Sequence, residues 1–331
     1  MTGSHATVKL KAELRSLLVL HDASQPAATL SRHSGINPLG PKGEKFMLDE
    51  KLLQDVWEDL ENQNKTLFET GFEDLDSVLG MQDGKGAVIT IGARPAMGKT
   101  TFMLSILENL LLKNKKCLYF SLEMSKEQLV KRILFQRAEV SFVKSKLNNY
   151  VAKDWGKLAN AMNNLSKWDF FVEDNTDTKT EEIELTIKEL KPDVVFIDYF
   201  QLLGGKPKQD RLTQIEENMK ALKRIAKEYG VVIFIASQLS RAPESRCDKR
   251  PLLSDLRESG AIENISDVVI FLYRPEYYNF MEDDDELRKK GEAEVIVAKN
   301  KFGTCGIIHI TFRANIPKFY PDLRSKYFDV F

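Results

Sequence analysis

The sequence predicts an α/β fold: a mostly parallel sheet flanked by helices, with an antiparallel hairpin at one edge. Three observations predict it. Eight short runs rich in Val, Ile and Phe lie between residues 87 and 312. Stretches with helical spacing of apolar residues separate the first five. The last two are joined only by the polar connector KNKFGTC (299–305). Near-continuous apolar strands that alternate with helices must be buried on both faces, as in parallel sheets. Two strands joined by so short a connector pair antiparallel.

In chain order, the 331 residues begin with a stretch of different character. No aromatic precedes Phe46, three of the four His fall before it, and the opening MTGSH resembles an expression tag. SGINPLGPKG (34–43) reads as a linker. Residues 1–45 are therefore expected to be a poorly ordered tag and linker. In 46–64, Leu48, Leu52, Val56 and Leu60 recur every fourth residue, with Leu53 and Trp57 beside them. That spacing predicts an amphipathic linker helix. TGFEDLDSVLG (70–80) reads as a connector, and residues 65–331 as one α/β domain. Strands are expected at 87–92, 117–123, 169–174, 193–200, 231–237, 267–274, 292–299 and 306–312. Helices are expected at 99–114, 125–138, 179–190 and 211–228.

Composition excludes several classes. Lys and Arg total 48 against 49 Asp and Glu, so a surface coated in basic charge for duplex DNA is ruled out. A local basic channel is not, because net charge averages over faces. Cys117, Cys247 and Cys305 are widely spaced and form no CxxC pair, which argues against a disulfide framework or zinc. Free thiols and the lack of a long apolar run or a charged leader suggest a cytoplasmic protein with no membrane partner.

The chemistry is concentrated at strand ends. ARPAMGKT (93–100) lies between a strand and a helix and ends in Gly98-Lys99-Thr100. It lacks the first Gly of the full phosphate-loop pattern, because Ala93 stands there. The amides of Ala96, Met97, Gly98, Lys99, Thr100 and Thr101 would surround phosphate at a helix N-terminus. Lys99 would reach the β- and γ-phosphates of a nucleotide, and Thr100 would ligate Mg²⁺, or the Gly-Lys-Thr would simply start a helix. Asp198, at the end of VVFID, would hold Mg²⁺ through water, or simply end its strand. Glu123, after YFSL, would orient an attacking water, or cap the next helix. Gln238, at the end of IASQ, would sense the last phosphate, or be a surface amide. Ligands of open α/β sheets gather at strand carboxyl ends, which favours the shared-site reading.

ARPAMGKT, FSLEMSKEQLVKR (120–132), FIDYFQLL (196–203), ASQLSR (236–241) and DKRPLLSDLRESGAIENISDVVIFLYR (248–274) together resemble the motor domain of DnaB-type replicative helicases. The resemblance covers roughly residues 46–312 and does not extend to that family's N-terminal helical domain. It implies a RecA-like P-loop core, hexameric rings with ATP sites between subunits, translocation on single-stranded DNA, and primase and a helicase loader as partners. By position it implies a nucleoside contact for Arg132. It implies DNA-phosphate contacts for Arg257, Glu258 and Gly260 in DLRESGAIE (255–263). GGKPKQDR (204–211) would be a second channel loop through Lys206, Lys208 and Arg211, or a solvated one. SRAPESRCDKRP (240–251) is expected to be mobile. Lys299 and Lys301 match the cations that reach the neighbouring subunit's nucleotide, or serve as edge-strand charges. Lys301 stands where the family has its arginine finger. A lysine cannot grip phosphate with a planar fork, so a second function stays open: a DNA-dependent ATPase or assembly module without strong unwinding.

Overall fold

Seven consecutive buried residues make β1 (Ala87–Ala93) a strand with no solvent face. It pairs in parallel with β5 (Val232–Gln238) on one side and β6 (Val268–Tyr273) on the other. Beyond β5 come β4 (Val194–Asp198), β2 (Cys117–Ser121) and β3 (Phe170–Glu173), all parallel. Beyond β6 the sheet reverses through β7 (Glu292–Asn300) and β8 (Gly306–Arg313), both antiparallel to their neighbours. The computed structural model describes residues 67–147, 149–205, 210–256, 259–278, 291–322 and 329–330. The expected tag and linker (1–45), the linker helix (46–64), Lys206, Lys208, Arg257 and Glu258 lie outside the described residues.

Alternate residues of each central strand feed opposite core layers. Cys117 and Tyr119 of β2 face one layer, shared with Phe102, Phe196 and Phe234. Leu118 and Phe120 face the other, shared with Ile197, Met219 and Leu222. Rings of Tyr119, Phe196 and Phe234 stack across β2, β4 and β5 at 5.6 and 5.1 Å between centroids. Each such side chain removes a large apolar area from water, the main stabilising term here.

The helices start and stop where their caps dictate. α1 (Glu73–Leu79) ends on Gly80 at φ 59°. α2 (Lys99–Leu112) follows β1 directly through the Gly98 loop. α3 (Lys126–Ala138) starts where Ser125 Oγ accepts the Gln128 amide at 3.4 Å. α4 (Phe142–Leu147) and α5 (Ala152–Leu165) precede β3, and α6 (Thr180–Leu190) precedes β4. α7 (Arg211–Tyr229) is capped by Asp210 accepting the Thr213 amide at 3.1 Å and closed by Gly230 at φ 67°. α8 (Ser259–Ile265) leads into β6.

The structure departs from the sequence reading at three places and extends it at a fourth. The connector 70–80 holds α1, tied down by Asp76, whose Oδ1 accepts the Thr70 amide at 2.7 Å. α4 and α5 were not expected. The antiparallel edge lies where the sequence places it, and β9 (Lys318–Pro321) and β10 (Asp329–Val330) extend it by pairing with β8. The segment 240–251, expected to be mobile, is pinned. Arg246 forks onto Asp255 at 2.7 and 2.6 Å, and Arg250 forks onto Glu294 at 2.6 and 2.6 Å. Both carboxylates are buried, so each guanidinium supplies a charge that water cannot.

Strand direction places the two ends of the sheet in different roles. The carboxyl ends of β1, β2, β4 and β5 meet along one edge, with Ala93 level with Gln238 and Ser121 level with Asp198. β7 runs the other way, so Asn300 lies beside Val268, at the amino end of β6. The β7–β8 tip is therefore at the opposite end of the sheet.

Candidate functional site

The loop from Arg94 to Gly98 joins β1 to α2 and must turn sharply. Ala96 and Gly98 take positive φ, 63° and 102°. A Cβ on Gly98 would meet the Phe319 ring at 3.1 Å, so both backbone and space call for glycine. The loop borders a cleft of about 480 Å³ at the carboxyl edge.

Lys99 opens α2 and donates from Nζ to the Ala93 carbonyl at 3.1 Å. Burial pushes its pKa down, and the nearby carboxylates of Asp198 and Glu123 pull it partly back. Thr100 Oγ1 donates to Asp198 Oδ2 at 2.6 Å. Tyr119 donates its phenol to the same oxygen at 3.0 Å, and its pKa is driven up by burial and by Asp198. Asp198 is thus a buried carboxylate at the end of β4, aimed at the start of α2. Glu123 stands just past β2 and Gln238 ends β5, while Arg132 reaches in from α3.

The cleft therefore brings together Ala96, Gly98, Lys99, Thr100, Thr101, Glu123, Arg132, Asp198 and Gln238. Met97 is different: its side chain is buried in the core and its amide donates to the Arg94 carbonyl at 3.3 Å. It anchors the loop rather than lining the cleft.

Five lining residues escaped the sequence reading: Pro95, Met124, Tyr199, Arg274 and Phe312. Arg274, one residue past β6, lies with its guanidinium 3.8 Å from the ring centroid of Phe312 on β8. Its Nη1 donates to the Ala96 carbonyl at 3.3 Å, Nη2 pairs with Glu276, and buried Nε has no hydrogen-bond partner. The signal for Arg274 was its place after an apolar strand, the same signal that marked Asp198. Phe312 needed the register of β8.

Other expected site residues lie elsewhere. Lys299 donates to the carbonyls of Glu263 and Asn264, the latter at 3.1 Å, and so caps the last turn of α8. Burial, then the neighbouring Lys301, lowers its pKa. Lys301 pairs with Asp267 at 3.2 Å. Arg211 starts α7 and is engaged by Gln214 Oε1 at 3.1 Å and by the Gln201 carbonyl. Gly260, in the first turn of α8, is exposed, with open space where a Cβ would stand. Among the described residues no group of three or more His, Cys, Asp or Glu is arranged to hold a metal, and no helix is long and apolar enough to cross a membrane.

Comparison with known proteins supplies the family. Residues 68–321 match the DnaB-like helicase C terminal domain. A probable replicative DNA helicase of Trieres chinensis is 41% identical over 260 residues, covering 76% of this chain and 56% of the relative. The replicative DNA helicase DnaC of Bacillus subtilis is 38% identical over 258 residues, 76% of this chain and 55% of the relative. The chain thus spans about half the length of these curated relatives. Among solved structures, the ATPase domain of G40P superposes with a TM-score of 0.75 at 33% identity, over 82% of this chain and 98% of that one. A DnaB-like replicative helicase, described with its interactions with primase, gives a TM-score of 0.75 at 34% identity, over 81% of this chain and 67% of that one. With residues 68–321 matched and relatives 38–41% identical across 76% of its length, the chain belongs to the family of DnaB-like helicase C-terminal domains.

Proposed function

We propose that this chain is the ATP-hydrolysing motor of a replicative DNA helicase, working as a hexameric ring that translocates on single-stranded DNA. The observation that carries this reading is the carboxyl-edge cleft, where Lys99 and Thr100 on α2, Glu123 after β2, Asp198 on β4 and Gln238 on β5 converge. A loop built on Gly98 alone could bind any anion; that set suits a nucleoside triphosphate with a divalent ion.

The donor set fits the cofactors. Lys99 is a half-buried cation whose hydrogen bond goes to a carbonyl, which leaves its charge available to phosphate. Thr100 and Asp198 bring a hydroxyl and a carboxylate oxygen together at 2.6 Å and would hold Mg²⁺. The ion would supply charge neutralisation along the outer phosphates. Glu123, exposed to the cleft, would orient and deprotonate the attacking water. Gln238 would report the state of the last phosphate to β5. Arg132 and the Arg274–Phe312 stack would flank the nucleoside end, a flat cation and a ring being suited to a base.

Lys299 and Lys301 would complete the site of the next subunit, since they stand at the far end of their own sheet. Arg257, Glu258, Gly260, Lys206, Lys208 and Arg211 would grip the DNA backbone. They lack interleaved aromatics, which suits binding independent of sequence. Primase and a loader would be partners, the former by analogy with the structural relative, and the setting would be cytoplasmic. One observation favours a second reading, a DNA-dependent ATPase or assembly module with weak unwinding: a lysine at the finger position. The test is ATP hydrolysis with and without single-stranded DNA, alongside strand separation of a forked duplex. Stimulation with separation supports the motor; stimulation without separation, or no stimulation, supports the second reading; absence of Mg-ATP hydrolysis overturns the motor and leaves only the assembly module.

A further inference from the structure

A buried carboxylate outside the cleft has more cations than it needs. Asp267, the residue before β6, is 3% exposed. Its Oδ2 accepts Lys223 Nζ of α7 at 2.6 Å and the Val88 amide at 2.9 Å. Its Oδ1 accepts Lys301 Nζ at 3.2 Å. Its backbone is held on both sides, donating to the Val88 carbonyl at 2.9 Å and accepting the Lys301 amide at 3.0 Å. Asp267 cannot swing to follow a departing partner; only the lysine side chains can move.

The two cations are unequal. A buried carboxylate needs one positive partner, because leaving it uncompensated is strongly destabilising. Lys223 makes the shorter contact, and its side chain is 32% exposed. Lys301 makes the longer one and is 45% exposed, on the tip of the sheet. Lys301 can therefore leave without orphaning Asp267, because Lys223 stays behind. A triphosphate held by a neighbouring copy carries more charge than one shared carboxylate and would compete for the freed ammonium.

We propose that Asp267 is a positioning residue that parks Lys301 away from the neighbour's nucleotide, with Lys223 setting how easily it is released. This rests on the reading of Lys301 as the cation that acts on the next subunit's ATP. With Lys223 in place, the carboxylate is shared and the latch is weak. Without it, Lys301 becomes the only side-chain cation on Asp267 among the described residues and is held harder. Without the carboxylate, Lys301 is free.

The experiment is the steady-state rate of Mg-ATP hydrolysis by the assembled full chain without DNA, with thermal melting followed in parallel. Asp267→Asn is expected to raise the rate about fivefold or more while lowering the melting temperature. Lys223→Met is expected to lower the rate by a similar factor, and Lys223→Arg to restore it. A merely structural role would move both variants downward. Asp267→Asn combined with Lys301→Ala should fall to the rate of Lys301→Ala alone. If Asp267→Asn does not fold, Lys223→Met combined with Lys301→Ala carries the test: its rate should equal that of Lys301→Ala alone, whereas a merely structural role of Lys223 would lower it further. Changes in the same direction, a parental rate for Lys223→Met, or a rise that survives loss of Lys301 would overturn the latch. A parental rate for Lys301→Ala would instead overturn the role of Lys301 itself.

Discussion

Lys99 illustrates how a side chain proposed to meet phosphate works against the stability of its own fold. Its ammonium is desolvated beside a carbonyl, and its pKa is lowered for that reason. A lowered amine pKa means that the charged form costs stability at neutral pH. That cost is relieved as pH rises from the lowered pKa toward the ordinary lysine value. Lys99→Met should therefore abolish hydrolysis without lowering the melting temperature of the nucleotide-free protein, and the rise in melting temperature on adding Mg-ATP should disappear. Glu123→Gln should keep that nucleotide-induced rise and lose about 10²–10⁴ of the turnover, as for a general base. Single-turnover hydrolysis beside melting curves checks both. Glu123 was legible because it follows a strand-like run and Lys99 because it stands in a Gly-Lys-Thr motif between a strand and a helix, so position and chemistry coincide in one dimension. Arg274 and Phe312 come from β6 and β8, and their contact depends on a register that periodicity does not encode. Met97 fits the loop pattern, yet its apolar side chain finds the core before its amide finds phosphate.

At the scale of elements, the stretch 240–256 shows charge doing structural work that its composition conceals. A polar segment with many cations reads as solvated, because sequence does not reveal which carboxylates lie beneath it. Burial tends to raise the pKa of Asp255, but the Arg246 guanidinium and the Leu252 amide outweigh it and hold it below the ordinary value. The stabilisation is present above the ordinary carboxylate pKa and is lost as pH falls through the lowered one. Arg246→Ala should cost about 3 kcal/mol in urea denaturation at neutral pH, since it strands a buried charge. The deficit should shrink on acidification. α4 and α5 were missed for the converse reason. In α5 the only buried apolar residues are Leu158 and Ala161, while Trp155 and Met162 are 58% and 60% exposed, so the apolar stripe that marks a core-facing helix is thin and diluted by exposed residues. β9 was missed because four residues ending in Pro321 carry little alternation and are specified by pairing with β8. The long apolar strands needed no such help, since β1, β2 and β4 are buried on both faces.

For the whole molecule, the sheet's direction matters more than any one contact. DNA binding gripped through phosphates should weaken steeply with salt, and Arg257→Ala should reduce the salt slope by about one while weakening all sequences alike. Titrations of unrelated oligonucleotides at several ionic strengths check this. Assembly should depend on the apolar stripe of 46–64, so Leu52→Asp with Val56→Asp should give monomers in sedimentation velocity. The overall α/β class was legible because alternation of strands and helices is a one-dimensional signal. Which end of the sheet faces which was not, because it follows from the reversal between β6 and β7. That reversal puts the cleft at one end of each chain and Lys301 at the other, so every active centre would be a joint product of two chains. Such centres obey the logic of genetic complementation. A chain carrying Lys99→Ala and a chain carrying Lys301→Ala would each be inert alone. Mixed in equal amounts in one ring, about a quarter of their interfaces would pair an intact loop with an intact lysine, and turnover would return.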